Sequence, residues 1–150
     1  MQKRVSFRTA SDLAQLLWPD FVEEDGCIFL AFQPHHSDSS NNSKESYGGK
    51  TYRESFVNHT HILDEFRNQA TFAKRIEVSK NLDEVEETYN ETHPDFIAAC
   101  ALGLKIAKMW AAKLKLDFPH DRFRVYYTQY DNPIVRFHKV RVDEPEMVER

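Results

Sequence analysis

The stretch PDFIAACALGLKIAKMWAAKLKL, residues 94–116, constrains the fold more than any other part of the chain. It reads as one long helix. Its first half is apolar on nearly every side and rich in small residues, Ala98, Ala99, Ala101 and Gly103. A helix apolar all round belongs inside a protein, so this half is expected to be the buried spine of the domain. The second half turns amphipathic, with Lys105, Lys108, Lys113 and Lys115 beside Ile106, Met109, Trp110 and Leu114. Thr92 as N-cap, Pro94 near N1 and Asp95 mark its start, and DFPH at 117–120 marks its end. At 150 residues, 41% of them apolar, the chain is long enough to bury one core around such a helix. One domain over 1–150 is expected.

Residues 123–141, FRVYYTQYDNPIVRFHKVR, read as a β-hairpin. If the turn lies at Asp131 and Asn132, Gln129 faces Ile134 and parity assigns the two faces. One face carries Phe123, Val125, Tyr127 and Gln129 with Ile134, Arg136, His138 and Val140. The other sets Arg124 opposite Lys139, a like-charge pair that disfavours this register. Tyr127, Arg136 and His138 gather in the middle of the first face, where a helix-packed sheet should not hold an Arg and a His without partners. Two accounts fit. In one, Arg136 pairs with a carboxylate of the acidic segment and His138 bonds the backbone. In the other, the three side chains line a pocket for an anion: Arg supplies a planar fork of donors, Tyr a hydroxyl, and His a group that titrates near neutrality.

Three further segments complete the expected architecture. TASDLAQLLWPDF opens with Thr9 and Asp12 as a capping pattern, spaces Leu13, Leu16 and Leu17 along one face, and stops at Pro19. The corner EEDG at 23–26 turns the chain into CIFLAF, residues 27–32, an apolar run suited to a strand buried on both faces. Residues 33–50 have almost nothing to bury and read as a flexible polar loop, of a length that lids also use.

Residues 52–72 hold the other candidate chemistry. Read as a helix, Phe56, His59, Leu63, Phe66 and Ala70 form one apolar stripe, with His59 facing the core or a pocket. His61 then lies about 200° away around the axis, and the two imidazoles cannot share a metal. Read as a strand, the pair lies on one face, as chelation requires. The letters His59-x-His61-x-x-x-Glu65 resemble part of the cupin metal motif over seven residues. The flanking glycines and the second motif of that family are absent, and four glycines in the chain are too few for a turn-rich jelly roll. The helix reading therefore leads, with no metal expected.

Residues 75–80 read as a short edge strand, and between Glu77 and Asp95 acids dominate: Glu77, Asp83, Glu84, Glu86, Glu87, Glu91 and Asp95 stand against Lys80 alone. Such a run is expected to be a solvated helix face. Between Lys105 and Arg141 the sign reverses, with nine bases and three acids. Aromatics interleave with these bases, but no nucleic-acid signature accompanies them, and the overall charge of −4 argues against that partner.

No Gly-x-Ser-x-Gly elbow, phosphate loop or dinucleotide fingerprint occurs. Cys27 and Cys100 sit far apart in apolar surroundings and read as buried thiols of a reducing compartment. The N-terminus lacks an apolar segment after its basic residues, so no secretory signal is expected and the sequons at Asn41, Asn58 and Asn90 are taken as chance. No apolar run approaches the roughly 20 residues of a membrane helix.

The expectation is a cytoplasmic α+β domain with a small, mainly antiparallel sheet of three to four strands. Residues 27–32 and the C-terminal hairpin supply the sheet, and the long helix with two or three others packs on it. Its function is expected to be binding or regulation, of an anionic small molecule or a protein partner, through Tyr127, Arg136, His138 and His59. The competing expectation is an acid–base or metal-assisted enzyme using the same four residues. No cofactor, nucleic acid or membrane is expected, and a homodimer is left open.

Overall fold

The computed structural model describes residues 4–33, 49–65, 74–78, 85–89, 92–129 and 132–145. In chain order they form α1 (Phe7–Leu17), β1 (Phe21–Glu24), β2 (Cys27–Leu30), α2 (Gly49–Val57), β3 (His59–His61) and α3 (Ile62–Glu65). There follow β4 (Lys74–Val78), β5 (Val85–Tyr89), α4 (Pro94–Asp117), β6 (Phe123–Thr128) and β7 (Ile134–Lys139). The fold is α+β. Its sheets are all antiparallel: a β1-β2 hairpin, a three-stranded sheet in the order β3-β7-β6 that contains the C-terminal hairpin, and a β4-β5 pair.

Helix α4 covers the expected stretch, capped by His93 rather than Thr92: its Nδ1 accepts the Asp95 N–H at 3.1 Å. Phe96, Cys100, Gly103, Ile106, Trp110 and Leu114 recur at three- and four-residue spacing and form one buried face. The first half is not buried all round, because Ile97 and Leu104 keep 57% and 46% of their surface. Trp110 is wholly buried, and its Nε1–H donates to the Leu16 carbonyl at 2.8 Å, which docks α1 against the spine. Ile28, Leu30, Ile106, Trp110, Val135 and Phe137 meet in one core between α4, β2 and the three-stranded sheet.

Strand β2 is buried at every position, as its unbroken apolar run implies. Its partner is β1 and not the C-terminal hairpin. Asp25 (φ 53°) and Gly26 (φ 76°) make the two-residue turn, whose positive φ angles suit the twist of a tight hairpin. The outer edge of β2 is closed by side chains of α2 and the residue after it. Glu54 Oε2 accepts Ile28 N–H at 2.7 Å, Asn58 Oδ1 accepts Leu30 N–H at 2.9 Å, and Asn58 Nδ2 donates to the Ile28 carbonyl at 2.7 Å. These bonds replace the missing strand and blunt an otherwise open edge.

The third strand of the main sheet is His59–His61, where a helix was expected. Helix α2 stops at Val57, and the Asn58 carbonyl already accepts Phe137 N–H at 3.0 Å as the chain enters the sheet. Pairing with β7 overrides the helical period. Phe66 and Ala70 of the expected stripe lie outside the described residues, as does nearly all of the 33–50 loop. Within the acidic segment, residues 85–89 form a strand against 74–78 rather than a helix.

The C-terminal hairpin is present, but its register differs by one residue from the expected one. Thr128, not Gln129, faces Ile134, and Arg124 faces His138 instead of Lys139. Asn132 and Pro133 are drawn into tertiary bonds: Asn132 Oδ1 accepts Leu63 N–H at 3.0 Å and the Pro133 carbonyl accepts Ile62 N–H at 2.9 Å. The observed register also joins Phe123, Val125 and Tyr127 with Val135 and Phe137 on the face toward α4, which the expected one would have divided between two faces.

Candidate functional site: the polar face of the three-stranded sheet

With one face of β7 given to the core, its other face carries Ile134, Arg136 and His138. Strand β3 lies on the free side of β7 in the register His59↔Arg136, Thr60↔Val135, His61↔Ile134. Thr60 is therefore buried, and its hydroxyl donates to Glu65 at 2.6 Å. His59 and His61 stand half-buried on the opposite face, together with Arg136. Their rings are 5.3 Å apart at 87°. Gln33 Nε2 donates to the His59 carbonyl at 2.7 Å and holds the strand from outside.

His59 Nδ1 lies 2.8 Å from the Phe56 carbonyl. A carbonyl only accepts, so Nδ1 carries the proton and the neutral ring presents the Nε2 lone pair. Burial lowers the His59 pKa below the usual imidazole value; the Phe56 bond opposes this, while the nearby His61 and Arg136 add to it. His59 is thus a neutral imidazole at pH 7 beside a guanidinium.

His138 shares this face of β7 but is wholly buried. Its Nδ1–H donates to the Lys139 carbonyl at 2.9 Å, and Nε2 takes the Tyr126 hydroxyl at 2.8 Å. Both nitrogens are occupied, the arrangement of a structural histidine. Tyr127 lies on the other face. Its ring fills the space over Gly103 of α4, where an added Cβ would sit 2.7 Å from Tyr127 Cε2. Burial, and then a hydrogen bond with the Cys100 thiol, raises its pKa. The structure therefore brings His59 together with Arg136, adds His61, turns His138 inward, and separates Tyr127 from all of them. Tyr126 takes the place beside His138 that the expected register gave to Tyr127.

A second polar assembly had no signal in the sequence. Glu54, on α2, is wholly buried and receives Arg141 Nη1 at 2.6 Å. Beside it a shallow cleft of about 400 Å³ is lined by Gly49, Lys50, Arg141, Asp143 and Glu144. Arg141 is spent internally, on Glu54, Thr51 Oγ1 at 3.2 Å and the Gly26 carbonyl at 3.0 Å. Glu144 Oε1 accepts the Thr51 N–H at 2.9 Å near the start of α2. Arg141 Nε also lies 3.8 Å from Glu144 Oε2, so the guanidinium that lines this cleft is committed to the fold.

Among the described residues no group of three or more His, Cys, Asp and Glu could hold a metal, and no helix is long and apolar enough to cross a membrane. A family model described as the uncharacterized protein PM0498 family matches residues 2–149. No curated protein and no solved structure matches the chain.

Proposed function

The chain belongs to the uncharacterized protein PM0498 family, and from that premise we propose that it is a non-catalytic binding protein of the cytoplasm that takes up a small anionic molecule on the β3–β7 face. The observation that carries the reading is the cross-strand pair His59↔Arg136. A guanidinium is a planar fork of N–H donors, a geometry suited to carboxylate or phosphate. The neighbouring His61 ring makes no hydrogen bond among the described residues and stands on the same face. Rigid strands hold these groups, so little ordering is required on binding.

The acid–base alternative draws less support. Tyr127 faces α4, and both nitrogens of His138 are occupied by Tyr126 and the Lys139 carbonyl.

The test is an amide and side-chain NMR titration of chelator-treated protein with inorganic phosphate and with citrate. Either probe should shift Thr60, His61 and Arg136 signals saturably, and Arg136→Gln should weaken binding by about tenfold or more while the protein stays folded. Shifts confined to Lys50 and Arg141, or none at millimolar probe, would overturn the reading.

A further inference from the structure

The strand conformation of residues 59–61 changes what His59 and His61 can do. On a helix these two rings would diverge; on β3 they share one face. A metal held by two imidazoles at roughly 2.0–2.1 Å lies about 3.2 Å from each ring centre, which at a near-tetrahedral angle separates the centres by about 5.1–5.4 Å. The observed separation is 5.3 Å, with the rings almost perpendicular.

One lone pair is defined by the backbone. His59 Nδ1–H is committed to the Phe56 carbonyl at 2.8 Å, the backbone bond that commonly fixes the tautomer and orientation of a metal-ligating imidazole and leaves Nε2 to bind. Among the described residues His61 makes no side-chain hydrogen bond, and none of them engages either of its ring nitrogens.

From this geometry we infer that His59 and His61 form a two-imidazole chelate for a divalent transition metal ion, open on its remaining positions to water or an anion. The adjacent Arg136 opposes any dication by charge alone, which selects ions that gain from nitrogen lone pairs. Zn²⁺, Ni²⁺ and Cu²⁺ fit; Mg²⁺ and Ca²⁺, which prefer oxygen, do not. The open positions and the guanidinium together suit a metal-bound carboxylate or oxoanion. The chelate goes beyond the anion reading and does not depend on it, because the ion is held by the two histidines.

The experiment is calorimetric titration of chelator-stripped protein with ZnCl₂ and with NiCl₂ in phosphate-free buffer, paired with ¹⁵N spectra of the histidine rings. One ion per chain should bind and perturb His59 Nε2 and one His61 ring nitrogen, while MgCl₂ gives no heat. His61→Ala should weaken Zn²⁺ binding by about tenfold or more. Among the described residues the His61 side chain makes no hydrogen bond, so this variant stays interpretable if His59→Ala does not fold. A His35→Ala/His36→Ala double variant should bind as the parent does. Arg136→Gln should retain metal binding even though it weakens phosphate binding, so the two readings fail separately. Absence of binding at millimolar Zn²⁺, or binding that survives His61→Ala, would overturn the chelate and leave the two rings as an edge-to-face contact only.

Discussion

The Glu54 carboxylate, with none of its surface exposed, receives Arg141 Nη1 at 2.6 Å. Its other bonds run to separate parts of the fold: Oε2 to Ile28 N–H in β2 at 2.7 Å, and Oε1 to Lys139 N–H at the end of β7 at 3.0 Å. Arg141 closes the circuit by donating to the Gly26 carbonyl at 3.0 Å. A buried carboxylate survives only when its lone pairs are filled, and here filling them joins the β1-β2 hairpin to the main sheet.

Glu54→Ala should therefore cost about 3–5 kcal/mol, because it strands the Arg141 guanidinium and two backbone donors together. Urea denaturation measures this. A loss below about 1 kcal/mol would mean that water reaches these groups and that the two sheets are held by apolar packing alone.

The histidines of the polar face should separate by role. His138→Ala removes a buried ring bonded to Tyr126 and to the Lys139 carbonyl, and should cost about 2–3 kcal/mol. His61→Ala should stay within about 0.5 kcal/mol of the parent. Parallel thermal melts distinguish them; equal destabilisation would make His61 a structural residue.

Gly103→Ala tests how closely β6 approaches the spine helix. Alanine in mid-helix would ordinarily be worth about 0.5–1 kcal/mol over glycine. At this position the new methyl meets Tyr127 Cε2 at 2.7 Å and Ile62 Cγ1 at 3.3 Å. Overpacking should win, with a net loss of about 1–2 kcal/mol by chemical denaturation. A stabilised variant would show that the Tyr127 ring moves aside freely.

Stability at high pH should depend on Cys27. Burial, and next the Glu54 charge, push its thiol from 9.0 up to about 11 against the opposing pull of Arg141 and other cations. Between those values the unfolded chain gives up its proton before the folded chain does. The contribution is therefore complete below pH 9 and is lost as pH rises through 11. Denaturation free energies at intervals between pH 8 and 11 should fall less steeply for Cys27→Ala than for the parent. Identical slopes would count against a buried neutral thiol.

Much of the architecture is legible from local pattern. The apolar period of residues 94–116, with Pro94 at its head, specifies α4 to within a residue of its end, because capping and periodicity act over one or two turns. Cys27–Leu30 are buried as the apolar run implies, although the strand stops short of Ala31 and Phe32, and the alternation across 123–139 does form a hairpin. Asp25-Gly26 was also a readable signal: the pair marks a two-residue turn, and it identifies Phe21–Glu24 as the partner of β2.

The candidate site was less accessible. His59, Arg136 and His138 were visible as residue types, but their grouping rests on a register that local sequence leaves one residue uncertain. A one-residue slip exchanges the faces of a strand, which is how Tyr127 passes from the expected site to the Gly103 contact and Tyr126 takes its place beside His138. His59–His61 illustrates the same limit more sharply. Its helical period is real, yet pairing with β7 supplies bonds that local propensity cannot match.

Glu54 lies at the far end of this scale. In the sequence it is one acid among many on a helix; only the fold places it between Ile28, Lys139 and Arg141. The chain by itself determined where its long helix, its buried strand and its last hairpin run, because each depends on interactions a few residues apart. The tertiary structure decided which strand joined which, which face of each met the core, and hence which side chains stand together on the polar face, because those choices depend on burying Phe137 and Trp110 in a common core.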